Sequence, residues 1–187
     1  MLSQLPNAIS ILRILLVFPT AWLLWSGSYV EALVLMAIAG TSDALDGWLA
    51  RRFDWISELG ATLDPVADKL LVAAMFVIFT LQGHLPLWVA LIVLGRDLII
   101  LAGAVVYRLL FGDIELNPTV ISKANTAVQI ATLLLMLLGL CGFETISDLA
   151  ISLVDPYLFV LLAFLGIGSG VDYVVTWGLR AIRRARS

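Results

Sequence analysis

Asp43-Ala44-Leu45-Asp46-Gly47-Trp48-Leu49-Ala50-Arg51 and, eight residues later, Gly60-Ala61-Thr62-Leu63-Asp64-Pro65-Val66-Ala67-Asp68 put four carboxylates into a chain that has little charge to spare. The 187 residues are 61% hydrophobic and 13% charged, with a mean hydropathy of +1.05, which excludes a soluble domain of this size. Apolar stretches near 8–27, 29–50, 61–82, 86–110, 122–142 and 153–179 each match the roughly 17 to 25 residues that cross a bilayer as a helix. The composition predicts an all-α integral membrane protein, six transmembrane helices in a single bundle, with residues 1–187 forming one membrane domain and no room for a soluble one. The first stretch is long, carries Arg13 and Pro19 and lacks a small-x-small cleavage site, so it reads as a span rather than a signal peptide.

Charge sets the orientation. The positive residues are Arg13, Arg51, Arg52, Lys69, Arg96, Arg108, Lys123, Arg180, Arg183, Arg184 and Arg186, whereas the loops near 28, at 83–86 and at 143–152 have none. The positive-inside rule then places both termini, the 51–58 loop and the 111–121 segment in the cytoplasm and the other loops outside. External His84 reads as a solvated loop residue, and lone Cys141 as a packing residue inside a span. The net charge of −3 identifies no partner, and no feature points to nucleic acid. Trp22, Trp25, Trp88 and Trp177 fall near span ends, as interfacial belt residues do.

A carboxylate at the centre of a spanning helix costs about 2.5 to 3.5 kcal/mol. Four near one end of two consecutive spans therefore call for compensation, and bound divalent cations supply it. Asp43 and Asp46 are three residues apart and Asp64 and Asp68 four, so each pair shares one helix face. Antiparallel helices joined by the 52–59 loop aim both pairs at one point. All-oxygen ligation suits Mg2+ or Mn2+, with two ions plausible beside a phosphate-bearing substrate, and the chain has no Cys or His cluster for zinc. Gly47 and Gly60 admit a bulky anion to the backbone, and Arg51 suits a phosphate oxygen.

These residues match every fixed position of the D-x-x-D-G-x-x-A-R-x8-G-x3-D-x3-D motif, and the chain resembles the CDP-alcohol phosphatidyltransferases on eight fixed residues over 26 positions. The resemblance implies a six-helix membrane fold, a homodimer and a site open to the cytoplasmic leaflet, in the bacterial inner membrane. It also implies that Asp43, Asp46, Asp64 and Asp68 ligate the metal, that Asp68 doubles as general base, and that Asp46, Gly47, Ala50, Arg51 and Gly60 hold the CDP group. The implied reaction transfers the phosphatidyl group of CDP-diacylglycerol to an alcohol and releases CMP.

For the alcohol, Ile121-Ser122-Lys123-Ala124-Asn125-Thr126-Ala127-Val128-Gln129 forms a second pattern. Ser122, Asn125 and Gln129 line a polar helical stripe. It resembles the S-K-x-N-T-x-x-Q segment of the cardiolipin synthases more than the G-K-x-K-T-x-x-Q of the phosphatidylglycerophosphate synthases. Phosphatidylglycerol is thus the expected acceptor and glycerol 3-phosphate the alternative, with Arg13, Arg96, Arg108, Lys123 and Asn125 as candidate acceptor-binding residues. Arg96 and Asp97, deep in the fourth span, fit acceptor binding or pairing with neighbouring helices, and Gly166 to Gly170 fits helix packing. The Arg180–Arg186 tail reads as a topogenic and anionic-lipid anchor. A transporter is the rival reading, but it predicts acids at mid-depth and broken helices in paired halves.

Overall fold

The computed structural model describes the backbone of residues 5–53, 58–111 and 119–185, and the side chains of residues 15–41, 69–107, 109 and 119–176. Among the described residues the chain is helical throughout, without strands. Six long helices run α1 Leu5–Trp25, α2 Tyr29–Phe53, α3 Glu58–Leu81, α4 Leu87–Phe111, α5 Val120–Leu140 and α7 Phe159–Ala185, with a short α6, Glu144–Leu153, before the last. Among the described residues three helical segments are long and apolar enough to cross a membrane, Leu87–Tyr107, Val120–Leu140 and Glu144–Thr176. Shorter apolar helical stretches occupy Leu15–Trp25, Tyr29–Thr41 and Lys69–Leu81. These features mark a multi-pass membrane protein.

Glycine closes α1 and α3 in the same way. Gly27 and Gly83 adopt φ of 77° and 79°, a backbone state that a Cβ would disfavour. Behind them, Ser28 N donates to Leu23 O and His84 N to Phe79 O, both at 2.9 Å, so the last carbonyls of each helix are capped. The two turns sit side by side: Gln82 Nε2 donates to Leu24 O at 2.8 Å, and Tyr29 Oη lies 3.1 Å from His84 Nε2. His84 is exposed, as a loop histidine is expected to be. Cys141 is the C-cap of α5 rather than a mid-span residue, and burial raises its thiol pKa, with the Glu31 carboxylate adding to the rise. The start of α2 and the end of α5 therefore share this end of the molecule.

Segment 143–152, expected as a loop, is helical from Glu144. Ser147 holds it against α5: its Oγ accepts from Phe143 N at 2.8 Å and donates to Leu138 O at 3.0 Å. Ser147 and Ala150 are buried, while Ile146, Leu149 and Ile151 remain exposed. Polar and apolar residues are mixed at helical spacing here, so the stretch is too polar to read as a span and too amphipathic to stay a loop. After a five-residue π-helical segment, Val154–Leu158, in which Asp155 leaves the helical region ahead of Pro156, α7 begins. The helix expected at 153–179 begins as α7 at Phe159, behind a kink.

α5 lies at the centre and contacts α2, α3, α6 and α7. The core is apolar, with Leu24, Phe76, Phe79, Val93, Leu137 and Leu162 fully buried. The outer faces are apolar as well: Phe18, Trp22, Leu101 and Phe164 are all more than half exposed, an arrangement suited to lipid and not to water. Trp22, Trp25 and Trp88 are exposed near helix ends. Close approach of α6 depends on Gly139, where an added Cβ would come 2.6 Å from Ile151 Cγ1. We expect Gly139→Leu to destabilise the detergent-solubilised protein by about 1 to 3 kcal/mol, read as a lowered unfolding midpoint, and Gly139→Ala to cost less because the Ile151 side chain can shift.

Candidate active site

The motif halves lie on two helices. Asp43, Asp46, Gly47, Ala50 and Arg51 are in α2, and Gly60, Asp64 and Asp68 are in α3, so the spacings of three and four act on helical backbone as the sequence requires. Their side chains, with those of Arg13 on α1 and Arg108 on α4, lie outside the described residues, and so does the convergence of the quartet. Among the described residues no three His, Cys, Asp or Glu side chains gather. As a donor set, four carboxylates at these helical spacings fit a hard divalent cation.

One residue beyond Asp68, Lys69 enters a polar network among the described residues. Lys69 Nζ donates to Asp97 Oδ2 at 2.6 Å, and Asp97 Oδ1 accepts from Arg96 Nη1 at 2.5 Å. Arg96 is 5% exposed. Its Nη2 donates to Ser122 Oγ at 2.5 Å and to Ser169 Oγ at 2.7 Å, and its Nε to Ser169 Oγ at 3.2 Å. Among the described residues four of the five guanidinium N–H groups are engaged, and the network ties together α3, α4, α5 and α7. A buried guanidinium is tolerable in a bilayer only with such partners. Of the two expectations for Arg96 and Asp97, pairing with neighbouring helices is the arrangement present.

Glycine spacing on α7 permits this contact. A Cβ at Gly166 would meet Ile92 Cγ2 at 2.9 Å, and one at Gly170 would lie 3.8 Å from Arg96 Cγ, so the Gly166–Gly170 face packs against α4. An open groove of about 410 Å³ runs between these helices, lined by Leu91, Ile99, Gly166, Gly170, Val171 and Arg96 among others.

On α5 the polar stripe faces inward. Ser122, Asn125, Gln129 and Thr132 are all buried, while Lys123 is exposed. Thr119 caps the helix by accepting from Ser122 N at 3.3 Å. Thr132 satisfies itself on Val128 O at 2.7 Å. Asn125 and Gln129 do not: all four of their amide atoms are buried without a hydrogen-bond partner among the described residues. Each unsatisfied buried group costs about 1 to 3 kcal/mol, so leucine would hold these places more stably in the absence of a ligand.

Ser169 and Lys69 escaped the sequence-based choice of site residues, as did Gln129, which was seen only as part of the stripe. Ser169 lies one helical turn from Gly166, inside a glycine-rich face read as packing alone. Lys69 is separated from Asp97 by 28 positions, a pairing that no local spacing reveals.

The fold and this site define a multi-pass helical membrane protein that concentrates ionic and amide groups inside its bundle. The family profile of CDP-alcohol phosphatidyltransferase matches residues 3–174, and the chain belongs to that family. Such proteins are, in general, divalent-metal-dependent phosphotransferases. The chain is similar to the cardiolipin synthase (CMP-forming)/mitochondrial hydrolase fusion protein of Schizosaccharomyces pombe, 34% identical over 92% of this chain and 31% of the relative. It is likewise similar to the human cardiolipin synthase (CMP-forming), 34% identical over 67% of this chain and 47% of that protein. To the probable phosphatidylglycerophosphate synthase of Mycobacterium tuberculosis it is 31% identical over 97% of this chain and 83% of the relative. The chain spans about a third to half of the length of the cardiolipin synthases it matches. Family membership leaves the transporter reading without support.

Removing the anion from the Arg96 network should be costly. We expect Asp97→Ala to lower stability by about 3 to 5 kcal/mol, because a buried guanidinium loses its counter-charge. Lys69→Ala, at a half-exposed position, should cost less than about 1 kcal/mol. Thermal unfolding in detergent checks both.

Proposed function

We propose that this chain transfers the phosphatidyl group of CDP-diacylglycerol to an alcohol, with phosphatidylglycerol as the preferred acceptor and glycerol 3-phosphate as the alternative. The observation that carries the reading is the complete motif from Asp43 to Asp68, set on two helices that run unbroken through its acidic pairs. Asp43, Asp46, Asp64 and Asp68 would hold two divalent cations, Mg2+ or Mn2+, which when bound supply charge neutralisation at the diphosphate. Asp46, Gly47, Ala50, Arg51 and Gly60 hold the CDP group, the two glycines giving the phosphates access to backbone. Asp68 takes the proton of the acceptor hydroxyl as its oxygen bonds to the phosphorus bearing diacylglycerol. The bond from that phosphorus to CMP breaks, and CMP leaves with the electron pair.

Acceptor binding falls to Arg13, Arg96, Arg108, Lys123 and Asn125. The Ser122-Lys123-Ala124-Asn125-Thr126 segment supports phosphatidylglycerol, and the names of two of the relatives agree with it. The Mycobacterium tuberculosis relative favours glycerol 3-phosphate. We read the six long helices as six spans of a homodimer in the bacterial inner membrane, with both termini and the site cytoplasmic. Support comes from the turns at 26–28, 82–86 and 141–143, which gather at one end and carry neither Lys nor Arg.

Asp68→Asn should lower CMP release by about 10²-fold to 10⁴-fold while CDP-diacylglycerol still binds. Turnover at the unmutated rate would remove Asp68 from the base role. Treatment with EDTA should silence the enzyme and added Mg2+ or Mn2+ should restore it; activity that persists without divalent ions would refute the metal assignment. Purified protein given labelled CDP-diacylglycerol should form lipid product with phosphatidylglycerol, and product from glycerol 3-phosphate alone would reverse the acceptor preference.

A further inference from the structure

Resting on the proposed reaction, we infer that Asn125 and Gln129 read the acceptor's second glycerol hydroxyl, the one that does not react. The two side chains are 0% and 1% exposed, and none of their amide atoms has a partner. They stand four residues apart on the inner face of α5, so they lie about 6 Å apart along the axis. Asn125 is one turn inward of Ser122, the hydroxyl that accepts from Arg96. Its Oδ1 lies 3.8 Å from where a Cβ on Gly166 would stand, so α7 passes the amide with glycine, at ordinary contact distance.

The stripe therefore changes character along α5. Its outer turn offers exposed Lys123, a cation that suits a phosphate. Its inner turns offer neutral amides, each both donor and acceptor, which match a hydroxyl and not a second anion. A phosphoglycerol headgroup has the same order of parts, a phosphate followed by hydroxyls. Phosphatidylglycerol and glycerol 3-phosphate both retain a hydroxyl next to the one that reacts, so the inference holds for either acceptor. An apolar replacement would fill the same space, and a hydrogen-bonding ligand accounts for two unpaired amides at this depth.

The test uses the full chain in detergent, with CMP release followed for two acceptors. One is whichever of phosphatidylglycerol or glycerol 3-phosphate turns over faster; the other is its counterpart with propanediol in place of glycerol, keeping only the terminal hydroxyl that reacts. Wild-type protein should prefer the glycerol acceptor by about tenfold or more in kcat/KM, since a site built for a hydroxyl discriminates against its absence. Gln129→Leu should raise the KM for the glycerol acceptor and erase most of that preference, leaving the KM for CDP-diacylglycerol within about twofold. Equal use of the two acceptors by wild-type protein, a comparison that needs no variant, overturns the inference. So does a Gln129→Leu protein that loses activity equally toward both acceptors, as it would if the amide held only internal water. Absence of CMP with every glycerol acceptor overturns the proposed reaction itself, and this inference with it.

Discussion

A bilayer does not solvate polar groups, and the Arg96 guanidinium shows how the bundle meets that constraint. Its hydrogen bonds to Asp97, Ser122 and Ser169, with the Lys69 link to Asp97, join four helices at one level. Because lipid tails are as apolar as leucine, burying leucine between helices gives little drive for association in the membrane. A shared ion network and close glycine contacts then set which helices meet. Gly166 and Gly170 bring α7 onto α4, Gly139 brings α6 onto α5, and Ser147 fastens the latter contact through Leu138 O.

Stability and function are separable along the central helix. Ser122 serves the network, and Thr132 bonds to its own helix, which makes both self-sufficient. Asn125 and Gln129 between them are buried and unpaired, an arrangement that weakens the unliganded fold. Destabilising features of this kind are retained where a ligand uses them, and here they adjoin the network that begins one residue after Asp68. The apolar groove between α4 and α7 is lined in part by Gly166, where an added Cβ would lie 3.8 Å from Asn125 Oδ1, so groove and polar interior come close at this glycine.

Much of this protein was legible before its structure. Hydropathy located the long helices to within a few residues, since a spanning helix must be apolar along most of its length. That Ser122, Asn125 and Gln129 share one polar stripe followed from spacing alone, while its burial came from the packing of α5. Other features were not legible for a stated reason. Segment 143–152 carries two acids, three hydroxyl-bearing residues and no Lys or Arg, and it read as a loop between spans, although the Ser147 bonds and the Gly139 contact that make it a packed helix come from α5. The roles of Arg96 and Ser169 depend on partners 26 and 73 positions away.

By itself, then, the sequence determined the membrane class, the helical periods, the family and the chemistry of the donor set, because these depend on residue type and on spacing within one helix. Only the tertiary structure decided that Arg96 is bound into a four-helix network, that Lys69 joins it through Asp97, that the glycine face of α7 rests on α4, and that two amides of α5 are buried without partners. Those are properties of neighbouring helices. Spacing along a helix says which face a side chain occupies, and only packing says what it meets there.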